Sequence, residues 1–275
     1  MFRWFRRRKP TVAVIRLAGT IGERAGALRP GITAAALVQP IERAFNLPDL
    51  KAVALAINSP GGAPAQASLV VKRIRALADE KKIPVIAFAE DVAASGGYML
   101  ACAADEIFAD DTSIIGSIGV ISAGFGFQEL LQRFGVERRM HTAGERKGML
   151  DPFSPEDPKD VAHLKALQVE VHDSFKDLVR ARRAGRLKAS EEELFSGAFW
   201  TGTHALAYGL IDGLGELTQI MRARFGESVR FVPVTRRQSW LRRRLGLSAA
   251  AEPSAWAGEV LLAVEERALW SRFGL

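Results

Sequence analysis

Pro84-Val85-Ile86-Ala87-Phe88-Ala89, followed after a short interval by Ala94-Ser95-Gly96-Gly97-Tyr98, carries the chain from a strand into a helix. The first run is apolar without the polar alternation of a half-exposed strand, so both of its faces are expected to be buried. The same pattern occurs twice upstream. Thr11-Val12-Ala13-Val14-Ile15-Arg16-Leu17 ends in a turn around Gly19 and Gly22, and Ala52-Val53-Ala54-Leu55-Ala56-Ile57 ends in Asn58-Ser59-Pro60-Gly61-Gly62. Helices follow each of these runs: one over roughly 34–46 with Thr33 as its cap, the other over about 64–80, where Leu69, Ile74 and Leu77 recur at near-helical spacing. A short strand is read at Glu106-Ile107-Phe108-Ala109. Strands alternating with helices in this way predict an α/β fold, a mostly parallel sheet flanked by helices.

The pattern changes after that sheet. Gly116-Ser117-Ile118-Gly119-Val120-Ile121 reads as a further strand, Phe127 to Phe134 as a short helix, and Glu137 to Thr142 as a strand leading into Gly144-Glu145-Arg146-Lys147-Gly148. A long helix is predicted from about Lys159 to Leu187, with Val161, Leu164, Leu167, Val171, Phe175 and Leu178 on one face. Phe199 to Gly202 and Gly209 to Gly215 close the domain, which is expected to span 11–226. Residues 1–10 form a basic aromatic stub, and 227–275 a basic extension with a cluster from Arg236 to Arg244, a small-residue linker from Ser248 to Pro253, and an amphipathic helix from Trp256 to Trp270. That helix could dock on the body, on a neighbouring subunit or on a membrane.

The chain of 275 residues is 48% hydrophobic and can build a sizeable core. Its one cysteine, Cys102, excludes an internal disulfide and a cysteine-rich metal site, and reads as a structural thiol on an apolar helix. The net charge of +7 sits at the ends: 1–10 carry five basic and no acidic residues, 222–275 ten basic against five acidic, and the middle is near −3. A nucleic-acid-binding groove in the folded core is therefore not expected. No run approaches the about 18 to 20 apolar residues that span a bilayer. Nor does Met1 to Lys9 continue into the apolar segment of a secretion signal. A cytoplasmic protein follows, and the alternation of Phe and Trp with Arg in the stub reads equally as a peripheral anchor on the inner membrane face or as a frayed basic terminus.

Ser95 stands where a nucleophile would, at a strand-to-helix junction with two glycines leaving its hydroxyl uncovered. A serine hydroxyl needs a base to take its proton. The histidines His163, His172 and His204 fall on predicted surface positions, and His141, near a strand end, is a reserve candidate. A lysine can serve if burial and hydrogen bonding keep its amine neutral. Lys147, in its glycine-bounded loop, is the candidate for this role, although lysines in such loops are mostly solvated. Gly61 and Gly62 allow backbone N–H groups to approach a substrate carbonyl, as an oxyanion hole requires, and the unpaired N–H groups after Ser95 add to them. The Ser-Gly-Gly turn lacks the Gly-Lys-Ser/Thr ending of a phosphate-binding P-loop.

Taken in order, Asn58-Ser59-Pro60-Gly61-Gly62, Ala94-Ser95-Gly96-Gly97-Tyr98, Gly116-Ser117-Ile118-Gly119-Val120, the Lys147 loop with Asp151-Pro152-Phe153, and the segment from Trp200-Thr201-Gly202 to Gly215 resemble the signal peptide peptidase A family of serine peptidases over roughly residues 10–226. The resemblance implies a ClpP/crotonase-like fold and a Ser-Lys dyad. In it Ser95 matches the nucleophile, Lys147 the general base, Ser117 the serine that orients the lysine, and Gly62 and Gly96 the oxyanion donors. It further implies hydrophobic peptide substrates, no metal or organic cofactor, and a homo-oligomer whose active sites are completed across subunits. Two other readings stand beside it: a crotonase-like acyl-CoA hydrolase or hydratase, and an inactive scaffold that binds peptides or membrane proteins.

Overall fold

The computed structural model describes residues 9–22, 31–234, 264 and 267–274. In chain order its elements are β1 (Thr11–Ala18), α1 (Ala34–Phe45), β2 (Leu50–Ser59), α2 (Pro64–Lys81), β3 (Val85–Ala94), α3 (Gly96–Ala101), β4 (Glu106–Ala109), β5 (Ile114–Gly116), α4 (Gln128–Arg133), α5 (Pro158–Arg182), α6 (Glu191–Leu194), β6 (Phe199–Thr201), α7 (Gly202–Ala207), β7 (Gly213–Leu214), α8 (Leu217–Phe225) and β8 (Arg230–Pro233). One sheet runs β6-β5-β3-β2-β1-β8, and every pairing in it is parallel except β5 with β6. The expected mostly parallel sheet flanked by helices is therefore present.

The uninterrupted apolar runs make the central strands because each strand buries both faces. Ala13, Ile15 and Leu17 of β1, Val53, Leu55 and Ile57 of β2, and Val85 and Ala87 of β3 face the larger core, where helices α1, α2, α3 and α5 cover them. The alternate residues Val12, Ala52, Ala54, Ile86 and Phe88 face a smaller core closed by Met221 of α8. Thr33 caps α1 as expected, its hydroxyl accepting the Ala36 N–H. On α2 the buried stripe is Ala67, Val70, Val71, Ile74, Leu77 and Ala78, which follows the i, i+3, i+4 pattern. Leu69 lies off that stripe and is exposed.

β3 is long enough to pair twice. Its first half, Ile86 to Ala89, pairs with β4, and its last residues, Val92 to Ala94, pair with β5. The strand expected from Gly116 ends at Gly116 instead, because Ser117 has a φ of +50° that no strand accommodates. No strand forms over Glu137 to Thr142 either. That stretch lies in an arm that no sheet edge reaches, and no residue from 119 to 174 is buried. The predicted apolar face of α5 is accordingly split: Phe175 enters the core, joined by Val179 outside that face, while Leu167 stays exposed. The sheet also continues past 226, since β8 pairs in parallel with Thr11 to Val14 of β1.

Two arginines at the C-terminal end of α5 tie it to the end of α3 and to the 209–212 loop. Arg182 donates to Cys102 O at 3.0 Å and Ala104 O at 2.9 Å. Arg183, 1% exposed, donates twice to Gly209 O and pairs with Asp212 at 2.6 Å. Tyr98 of α3 donates to Leu210 O at 2.7 Å, so the same loop holds both helices. Burial pushes the Cys102 thiol up to about 12, against the opposing pull of Arg183 and Arg182, and the thiol is structural. Burial opposes ionisation of Asp212, yet the hydrogen bonds from Arg183 and the Ile107 N–H outweigh it and hold the carboxyl below the usual range. The stability this contributes is present above the ordinary carboxylate range and is lost as pH falls through the depressed value. Arg183→Met strands the Gly209 carbonyl and is expected to cost about 3 kcal/mol in urea denaturation; a loss below about 0.5 kcal/mol would remove Arg183 from this role.

The expected N-terminal stub lies outside the described residues apart from Lys9 and Pro10, as do the basic cluster, the linker and most of the Trp256 to Trp270 helix. Residues 267–271 are helical, and Phe273 beyond them packs on Val92, Ala94 and Ile114, with its ring 5.1 Å from that of Phe199 in an edge-on contact. That described part docks on the body.

Candidate active site

Ser95 follows the last residue of β3 and stands at the cap position of α3 with φ 52° and ψ −123°. Its N–H donates to Gly116 O at 2.8 Å, and its carbonyl accepts the Met99 N–H at 3.0 Å. The backbone thus turns from strand to helix in a single residue. A non-glycine residue in this region is strained, by about 1–3 kcal/mol. The strain lifts the side chain off the sheet, where it is half-buried. Its hydroxyl has no hydrogen-bond partner among the described residues.

Beside it, the chain after β2 doubles as a short extra strand. Ile21 N–H donates to Gly61 O at 2.8 Å and Ala63 N–H to Ile21 O at 2.9 Å. In this parallel bridge Gly62 sits opposite Ile21, so its own N–H points to the other side. That side holds α3: a Cβ on Gly96 would stand 3.5 Å from the Gly62 nitrogen. A Cβ on Gly61, which has φ +107°, would stand 2.8 Å from Ser95 Cβ. On Gly62, with φ +138°, it would stand 2.2 Å from Ile21 O. Only glycines let these backbones meet. The N–H groups of Gly62 and Gly96 have no acceptor among the described residues, and both adjoin Ser95.

Ser117 comes directly after the Gly116 whose carbonyl holds the Ser95 N–H. It is buried, and its N–H donates to Ala198 O at 2.7 Å. Its hydroxyl, too, is without a partner among the described residues. The structure therefore gathers Ser95, Gly62, Gly96 and Ser117 at the carboxyl ends of β2, β3 and β5.

Lys147 makes no hydrogen bond to Ser95 or Ser117 among the described residues. Its loop belongs to the arm, which is held mainly by its own contacts: Phe127 N–H to Pro152 O at 2.7 Å, and a two-pronged Arg138–Asp151 pair at 2.9 Å with Arg138 over the Phe153 ring at 4.8 Å. The Arg138 hydrogen bond keeps the Asp151 carboxyl below its usual range, with burial opposing. Lys147 is exposed, and its amine makes no hydrogen bond or ion pair among the described residues. The arm also exposes Ile121, Phe125, Phe134, Val136 and Met140. His141, the reserve base, is exposed on the same arm. His163 and His204 are exposed as expected, but His172 is half-buried and bonded to Ile118 O at 3.0 Å, which corrects its reading as a surface residue. No pattern in the sequence marks that contact, since it joins residues 54 apart. Among the described residues no helix is long and apolar enough to cross a membrane.

Comparison with known proteins gives this cluster a context. A protein of Brucella melitensis biotype 1 named Na(+)/H(+) antiporter NhaA is 49% identical over 281 residues, covering 99% of this chain and 38% of that protein. The chloroplastic serine protease SPPA of Arabidopsis thaliana is 34% identical over 212 residues, covering 76% of this chain and 31% of that protein. The chain thus spans well under two thirds of the length of these relatives, and the antiporter's name describes a protein most of which lies outside the aligned part. A solved structure of the 1510-N membrane-bound stomatin-specific protease aligns with 83% of this chain and 94% of its own at 19% identity and a TM-score of 0.48. Residues 77–225, which run from the end of α2 through the Ser95 turn and the arm to the end of α8, match the model of Peptidase family S49, and the chain belongs to that family.

Proposed function

We propose that the protein is a serine endopeptidase that uses a Ser95–Lys147 dyad to cleave hydrophobic peptides such as signal-peptide remnants or membrane-protein segments, and that it works as a homo-oligomer in which Lys147 of one copy serves Ser95 of the next. The observation that carries this reading is that Ser95 and Lys147 share no hydrogen bond among the described residues. Among the described residues the Ser95 hydroxyl and the two adjoining backbone N–H groups have no partner, while Lys147 stands on an arm with no buried residue and an apolar surface that a second copy can cover. Covering would also dry the lysine, which must be neutral to accept a proton.

In this mechanism Lys147 takes the Ser95 proton as Oγ forms a bond to the peptide carbonyl carbon. The carbonyl oxygen becomes an oxyanion and accepts hydrogen bonds from the N–H groups of Gly62 and Gly96. Ser117 accepts a hydrogen bond from the lysine amine and aims it. Collapse breaks the C–N bond, and the lysinium returns the proton to the leaving amine. Water, deprotonated by the same lysine, then attacks the acyl-enzyme, releasing the carboxylic acid and Ser95. An extended peptide is the fitting substrate, since it can add alongside the sheet and present its carbonyl at the Ser95 turn. The apolar side chains on the arm support a hydrophobic sequence.

Lys147→Ala is expected to reduce hydrolysis of a hydrophobic peptide by on the order of 10^3-fold with the oligomeric state unchanged. Measured alongside size by light scattering, wild-type rates in an intact assembly would move the base elsewhere.

A further inference from the structure

We infer that His172 is a positioning residue for the active site: its Nε2–H holds the carbonyl of Ile118 and so fixes the turn that presents Ser117. The inference rests on the proposed Ser95–Lys147–Ser117 site and adds to it a residue on a different element.

His172 lies on α5, 54 positions from its partner, with Nε2 at 3.0 Å from Ile118 O. A carbonyl can only accept, so this ring nitrogen carries the proton. Ile118 is fully buried, and without the imidazole its carbonyl would lose its only donor among the described residues. Ser117 immediately before it holds φ +50°, outside the comfortable range of a side-chain-bearing residue, and the Gly119 N–H donates to Ser117 O at 3.0 Å to close a three-residue turn. Such a conformation persists only when its surroundings impose it. Two contacts from outside the turn do so: the Ser117 N–H bond to Ala198 O at 2.7 Å on one side and His172 on the other.

Position in the chain makes the second contact decisive. Upstream, Gly116 O holds the Ser95 N–H at 2.8 Å. Downstream the chain leaves the body at Gly119 and is not buried again until Phe175, three residues beyond His172. The histidine therefore joins the outgoing and returning limbs of the arm at its root. Releasing it frees Ile118 O to seek water and lets Ser117 relax, which misplaces a hydroxyl meant for the lysine while leaving the peptide-binding surface in place.

The test is steady-state hydrolysis of a hydrophobic peptide by wild type, His172→Ala, His172→Gln, Ser117→Ala and the His172→Ala/Ser117→Ala double variant, each with its assembly checked. His172→Ala is expected to lower kcat about tenfold with KM within about twofold. Gln restores most of kcat, because its amide N–H reaches the same carbonyl. The double variant is no slower than Ser117→Ala, since both act through one hydroxyl. Should His172→Ala fail to fold, His172→Asn replaces it, its shorter amide falling short of the carbonyl. Wild-type kcat in His172→Ala with Ser117→Ala impaired, or equal losses in the Gln and Ala variants, would overturn the inference and leave the active site standing. Wild-type kcat in Ser117→Ala would overturn the site reading and the inference together.

Discussion

Ser95→Ala is expected to abolish peptide hydrolysis, by on the order of 10^5-fold or more, and Ser95→Gly to do the same while making the protein more stable. The first half follows from the proposed mechanism: without Oγ there is no acyl-enzyme, and the N–H groups of Gly62 and Gly96 would polarise a carbonyl that nothing attacks. The second half follows from the backbone. At φ 52° and ψ −123° Ser95 occupies a region that costs a side-chain-bearing residue energy, and the Gly116 and Met99 hydrogen bonds hold it there. Glycine adopts the same angles without that cost, so Ser95→Gly should gain about 1 kcal/mol, or about 2 °C in Tm for a chain of this size. Alanine keeps the strain and should leave Tm nearly unchanged. Thermal denaturation of the three proteins beside their peptide kinetics checks both halves. Appreciable activity in Ser95→Ala would remove Ser95 as the nucleophile; a Tm for Ser95→Gly at or below that of wild type would remove the strain.

The second large effect is at Gly62. An alanine there would put its Cβ 2.2 Å from Ile21 O and would sit at φ +138°, so the segment has to move away from β1's extension. Its N–H moves with it. Loss of one oxyanion donor costs on the order of 10^2- to 10^3-fold in kcat, and the backbone strain costs roughly 1–3 kcal/mol of stability. Gly226→Ala is the matched control: it too has positive φ, but open space surrounds its missing Cβ, and it caps α8 far from Ser95 in sequence. It should lose only about 1 kcal/mol and keep wild-type kcat. Equal kcat losses in the two variants would show that Gly62 acts through general stability and not through its N–H.

The sheet was legible because its central strands carry the apolar runs Val12 to Ile15, Ala52 to Ile57 and Val85 to Ala89, and a strand segment buried on two faces leaves that mark in a sequence. Ser95 and Gly62 were legible for a related reason, since a serine before two glycines and a Pro-Gly-Gly turn announce backbones that must pass close to one another. What the residues could not announce lies in long-range contacts. Glu137 to Thr142 is read as a strand leading into the Lys147 loop, but strands exist only where an edge is offered, and the arm offers none. Leu167 and Phe134 look like core residues and are exposed, because an apolar pattern marks a face without recording whether anything in the chain covers it. β8 is four residues long, too short for periodicity to mark, and it is set by the edge of β1. His172 looked like one more polar residue on a charged helix, since the carbonyl it holds belongs to a segment 54 residues away.

The central claim is that one copy's lysine serves another copy's serine, and mixing two dead variants tests it most directly. Ser95→Ala keeps Lys147, and Lys147→Ala keeps Ser95. Unfolded or dissociated together and reassembled, they form interfaces at which an intact serine meets an intact lysine. Peptide hydrolysis should then reappear at a substantial fraction of the wild-type rate, while each variant reassembled alone stays inactive. Mixed assemblies that form, as shown by mass, yet remain inactive at every mixing ratio would contradict the account and return the base to the same chain as the nucleophile.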